Sequence, residues 1–133
     1  CLYVAILERS EIKMPSSSFN IEKYGDIAIV VPSSTVEKMP EELMSAATQL
    51  VLEPLDKMRP SGLIFDLGGI EFVGSMFLGF LLRCHKRVKH HGCEVVICDP
   101  SKSARELLHI TALDTLWPIY NNRQEAISAL NSD

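Results

Sequence analysis

A single serine is the side chain best placed to do chemistry in this sequence. Ser75 lies between two apolar patterns of different period. Upstream, Leu63 to Leu67 is short and apolar enough to be a buried strand, and Ile70 to Val73 is a second short piece after Gly68-Gly69. Downstream, Phe77, Leu81, Cys84 and Val88 fall four, three and four apart, which is one face of a helix. Ser75 is therefore expected at the N-cap, where a buried strand hands over to a helix. A hydroxyl there is either a plain structural cap, worth about 1 kcal/mol to the helix, or a switch.

Other chemistry-bearing residues make weaker constellations. Cys84-His85, His90-His91, Cys93 and Cys98 are ligand types for zinc. Cys93 and Cys98 are five apart on one expected strand, so they face opposite ways and cannot share an ion. No metal site and no cofactor is expected. Asp66 ends a strand near Ser75, but no histidine at a recognisable spacing completes a nucleophile–base pair. The Gly-x-Ser-x-Gly elbow is absent because residue 77 is Phe. The chain is not expected to be an enzyme. Gly68-Gly69 reads as a tight turn or bulge, since no Gly-Lys-Ser/Thr follows. Arg83, Lys86, Arg87 and Lys89 form the solvated face of the helix, with contact to an acidic partner as their functional reading.

Composition narrows the classes further. The 133 residues fit one domain with a real core. A net charge of −4, with basic residues scattered apart from Arg83 to Lys89, gives no footprint for nucleic acid. No apolar stretch approaches the roughly 18 to 20 residues of a membrane span. The apolar opening, Cys1 to Leu7, lacks a charged leader and a small-residue cleavage site and is not read as a signal peptide. Four cysteines, Cys1, Cys84, Cys93 and Cys98, read as reduced thiols of a cytoplasmic protein rather than a disulfide framework.

The elements that must position Ser75 follow in order. Residues 1–18 are expected to be an N-terminal arm or extra strand plus a Ser/Pro linker. The arm could add a strand to a sheet edge or pair with another copy as a homodimer, and the sequence leaves both open. The domain proper is expected over 19–133. Phe19 to Tyr24 and Ile27 to Val31, joined by Gly25-Asp26, read as a β-hairpin. Met39-Pro40-Glu41-Glu42 starts a helix that Pro54 or Pro60 ends. After the central strand and helix, Gly92 caps, Cys93 to Cys98 is a strand, and Ser101 caps a helix with Ala104, Leu107, Leu108 and Ile110 inward. Trp117 to Tyr120 is a short final strand, and Arg123 to Leu130 a last helix with Ala126, Ile127 and Leu130 inward. Strands alternating with helices imply parallel neighbours and right-handed crossovers. The expected fold is α/β: a mixed β-sheet with an antiparallel edge and otherwise largely parallel strands, with four helices mainly on one face.

Phe72-Val-Gly-Ser-Met-Phe-Leu-Gly79 resembles the signature of STAS domains, the family of anti-sigma-factor antagonists and sulfate-transporter tails. The family pattern is roughly Asp-Leu-x-x-Val-x-Phe-x-Asp-Ser-Ser/Thr-Gly-Leu-Gly. Asp66-Leu67, Ile70, Phe72, Ser75, Leu78 and Gly79 fall on it without a gap. Gly92-Cys-Glu-Val-Val-Ile-Cys98 is similar to the family's Gly-Gly-x-Leu-x-Leu strand, and Pro100 to Leu116 to its closing helix. The resemblance covers roughly residues 19 to 130. The chain departs at Gly74, where the family has an acid, and at Met76-Phe77, where it has a small pair.

The resemblance implies a protein-interaction module. Its partner would be an anti-sigma factor with serine kinase activity, and Ser75 the phosphorylation candidate. Gly74, Met76, Phe77, Phe80 and Arg83 are the partner-binding candidates. The alternative is a non-switching scaffold or sensor subunit, self-associating or stressosome-like, in which Ser75 only caps its helix. Phosphorylation would add about −1.5 to −2 charges. A helix N-terminus favours an anion by about 0.3–1 kcal/mol, so the fold should survive. A partner covering the same surface must desolvate the phosphate at a cost of several kcal/mol, which releases it.

Overall fold

The hairpin forms where the apolar runs and the Gly-Asp turn place it. The computed structural model describes residues 19–38, 40–71 and 73–131. β1 (Phe19–Tyr24) pairs antiparallel with β2 (Ile27–Pro32), and Tyr24 faces Ile27 across the turn. Gly25 takes φ +60° there, a conformation that side chains disfavour. A 3-10 turn, Ser34–Lys38, leads to α1 (Glu41–Met58). Of the two expected ends, the helix runs through Pro54 and stops before Pro60, with Arg59 (φ 46°) as its C-cap. The Arg59 N–H donates to the Leu55 carbonyl at 3.0 Å. Pro54 has no N–H to give the Leu50 carbonyl, but Leu50 is on the exposed side, where water can serve it.

β3 (Gly62–Asp66), α2 (Ser75–Lys89), β4 (Glu94–Cys98), α3 (Lys102–Ile110), β5 (Ile119–Tyr120) and α4 (Arg123–Asn131) complete the domain. The sheet order is β1-β2-β3-β4-β5, with β1 antiparallel and the other neighbours parallel. This is the expected mixed α/β sheet with its antiparallel edge. β5 is shorter than the expected Trp117–Tyr120 strand.

Both faces of the central strands are covered, which is why they read as apolar runs. Ala28, Val30, Leu63, Phe65 and Ile97 meet residues of α1, α2 and α3, among them Leu55, Leu81 and Leu108. Ile27, Ile29, Ile64 and Val96 point the other way and are covered by Ala126 and Ile127 of α4. Three helices thus pack on one face and the last on the other. Ile110, expected inward on α3, ends that helix exposed, while Ala104 and Leu108 hold the core.

Cys93 belongs to the main core and Cys98 to the second layer, the opposite faces their spacing requires. Burial pushes the thiols of Cys84, Cys93 and Cys98 up to about 12, 11 and 12, so they stay protonated. The expected N-terminal arm, and self-association through it, lie outside the described residues. No helix among the described residues is long and apolar enough to cross a membrane.

Candidate functional site

The loop that delivers the chain from β3 to α2 is pinned at nearly every step. The Asp66 carboxylate accepts from the Gly68 N–H at 3.0 Å. It also accepts from Arg123 Nε at 3.0 Å and Nη2 at 2.8 Å. The Leu67 N–H donates to the Cys98 carbonyl at 3.0 Å, continuing the sheet for one more residue. A Cβ on Gly68 would lie 2.6 Å from Asp99 Oδ2 and 3.2 Å from Asp66 Oδ1, so a larger residue there would have to push the Asp99 carboxylate aside. The Ile70 N–H donates to the Leu67 carbonyl at 3.0 Å, turning buried Ile70 into the core. The Glu71 N–H donates to Glu37 Oε2 at 2.7 Å, and the Glu71 carbonyl accepts from Ser101 Oγ at 2.7 Å.

This loop ends on Gly74, and here the structure corrects the expectation for Ser75. Gly74 is still extended (φ −108°, ψ 179°), while its carbonyl already accepts from the Leu78 N–H at 3.0 Å. That combination defines the N-cap, so Gly74 is the cap and Ser75 the first helical residue. No side chain caps α2. Ser75 is exposed. Ser101 shows what a capping serine looks like: its Oγ accepts from the Ala104 N–H at 3.0 Å.

The five partner-binding candidates separate by burial. Gly74 is exposed, with nothing within 4 Å of where a Cβ would stand. Met76 is 42% exposed. Arg83 is exposed two turns further along α2. Phe77 and Phe80, at 4% and 1% exposed, belong to the core. Their ring centroids are 5.6 Å apart, and Phe80 also meets Phe19 at 4.7 Å and Phe65 at 6.1 Å. The bulk at residue 77 therefore goes inward, and of the Met76-Phe77 pair only Met76 adds surface. The helical spacing signals this, because Phe80 is three on from Phe77 and four before Cys84.

Electrostatically, the start of α2 is uncluttered. Ser75 to Leu82 contains no charged residue, and the cations begin at Arg83. The first N–H groups of the helix have no intrahelical partner. An anion on Ser75 would thus meet free donors and the positive end of the macrodipole, with no carboxylate in the first turn.

Two further positioning contacts are non-local. Arg123, the first residue of α4, joins Asp66 at the end of β3 to Glu22 on β1, the latter through Nη1 at 2.7 Å. No local signal marks an arginine whose partners are 57 and 101 residues away. Trp117, fully buried, donates its indole N–H to His85 Nδ1 at 3.0 Å, which ties α2 to the segment entering β5. Burial, and then the charge of Lys89, hold the His85 imidazole below its usual value.

The model of the STAS domain matches residues 19–126. The anti-sigma F factor antagonist of Paenibacillus polymyxa is 27% identical over 78 residues, covering 59% of this chain and 67% of that protein. A STAS-domain protein from Planctomyces limnophilus superposes with a TM-score of 0.74 at 26% identity, covering 84% of this chain and 97% of its own. The Bacillus cell-fate determinant SpoIIAA in its phosphorylated form superposes with a TM-score of 0.65 at 13% identity, covering 85% and 99%, a likeness of fold.

Proposed function

The chain belongs to the STAS domain family, and on that premise we propose that it is an anti-sigma-factor antagonist switched at Ser75. In this reading it binds, in the cytoplasm, an anti-sigma factor that carries serine kinase activity. The kinase phosphorylates Ser75 and the complex then dissociates. The observation that carries the reading is the exposed hydroxyl on the first residue of α2, free of any capping task. A fold neighbour, SpoIIAA, has been solved both unphosphorylated and phosphorylated.

The physics of release is local. The phosphate is tolerated by the fold because the helix N-terminus favours it by about 0.3–1 kcal/mol. A partner seated over Gly74, Ser75 and Met76 must strip that phosphate of water, and an unpaired buried charge costs several kcal/mol. Each 1.4 kcal/mol is about tenfold in affinity.

The test compares capture of the cognate anti-sigma factor by two variants. Ser75→Ala should retain it and Ser75→Asp should lose it by at least about tenfold. Equal capture by both would instead favour a non-switching scaffold, although that reading no longer has capping to assign to Ser75.

A further inference from the structure

We infer that the groove between α1 and α2 is the track on which the protein partner docks, and that it takes an acidic amphipathic segment. The inference builds on the proposed function only in taking the partner to be a protein. Near Ser75 the groove is a small recess of about 110 Å³, lined by Met44, Thr48, Met76, Gly79 and Phe80. It continues into a hollow of about 340 Å³ lined by Gln49, Leu52, Arg83, Lys86, Arg87 and His90. Arg83 borders both, which makes them one track.

The spacing on α2 explains the track. Met76, Gly79, Arg83 and His90 recur on the flank that faces α1, and the missing side chain at Gly79 leaves the recess open, with nothing within 4 Å of a would-be Cβ. From Met76 to His90 the helix rises about 21 Å, the length of a partner helix of about four turns.

Charge selects the occupant. The chain carries a net −4, yet the described side chains lining the long hollow include Arg83, Lys86, Arg87 and His90 and no carboxylate. Asp56, at its edge, is already paired with Arg87. An acidic segment with one apolar end therefore fits: the apolar residue beside Met76, the carboxylates over Arg83 and Lys86. Charges at such a rim set encounter rate and partner choice, and the apolar anchor carries the contact energy.

The probe is a fluorescein-labelled helical peptide of Ala, Leu and Glu, about four turns long with its leucines at one end, beside the same peptide with every Glu replaced by Lys. Anisotropy with the full chain gives affinity, and amide shifts give location. The Glu peptide should bind, shift the amides of Ser45–Leu52 and Met76–His90, and weaken at higher salt. Arg83→Glu with Lys86→Glu should lose it at least tenfold and gain the Lys peptide, and that gain shows that the variant is folded. Met76→Ala should weaken the Glu peptide several-fold. Equal binding of both peptides, no binding, shifts elsewhere, or indifference to the charge reversal would overturn the inference. Neither peptide involves a kinase, so failure here leaves the Ser75 comparison standing, and failure there leaves this one readable.

Discussion

A hydroxyl on the residue before a helix can accept from an N–H two or three positions on, while one on the first helical residue cannot close that ring. Ser101 occupies the first of these positions and Ser75 the second, and they should respond differently to the same truncation. Ser101→Ala removes an acceptor for Ala104 and a donor to Glu71, and should cost about 1 to 2 kcal/mol. Ser75→Ala should stay within about 0.5 kcal/mol of the parent. Urea unfolding of the pair checks this, and an equal loss at Ser75 would return it to a capping role. Gly74→Asp should leave stability unchanged or raise it by a few tenths of a kcal/mol, because the site is open and the backbone already suits a side-chain cap. A fall in melting temperature would contradict that. The change of period between Val73 and Phe77 located the junction to within one residue. It could not place the cap, since Gly74 supplies no side-chain signal for the boundary.

Between elements, stability rests on a few ties that no local pattern announces. Arg123→Ala would cut the bonds that hold α4 to β3 and β1, leaving Asp66 with the Gly68 N–H among its described partners. Partly exposed charged hydrogen bonds of this kind are worth about 1–2 kcal/mol together. Hydrogen exchange should show α4 opening ahead of the rest of the domain; uniform protection would refute this. The bond from Trp117 to His85 has a pH signature. Trp has only a donor, so His85 Nδ1 must be the acceptor and the folded imidazole neutral. Its folded value lies below the ordinary 6.5, so just under that pH the unfolded chain takes up a proton that the folded one refuses. Stability from this site is therefore whole above about pH 6.5 and is lost as pH falls from there through the folded value. His85→Gln should remove that dependence, read by the fluorescence of the single tryptophan. An unchanged pH profile would argue against the assignment.

Across the whole molecule, the sequence order of strands and helices was legible because the apolar segments differ in length and period. Short runs such as Ile27 to Val31 became strands, and spaced positions such as Phe77 to Val88 became a helix. What escaped were matters of partner rather than pattern. The pattern could not choose between Pro54 and Pro60 as the end of α1; packing of Val51, Leu52 and Leu55 carries the helix past Pro54, and it stops directly before Pro60. Phe80, a partner-binding candidate by resemblance, is almost wholly buried because the Phe19 and Phe65 rings pack on it. The described structure joins a hydrogen-bonded loop to an exposed hydroxyl, with a basic groove running away from it along α2. The central claim is that this hydroxyl is the switch. Its most direct measurement is phosphate mapping after incubation with the proposed partner, an anti-sigma factor with serine kinase activity, and ATP, with complex formation followed in parallel. The account predicts one phosphate, on Ser75, with loss of the complex as it accumulates; phosphate elsewhere, none at all, or a complex that survives phosphorylation of Ser75 would contradict it.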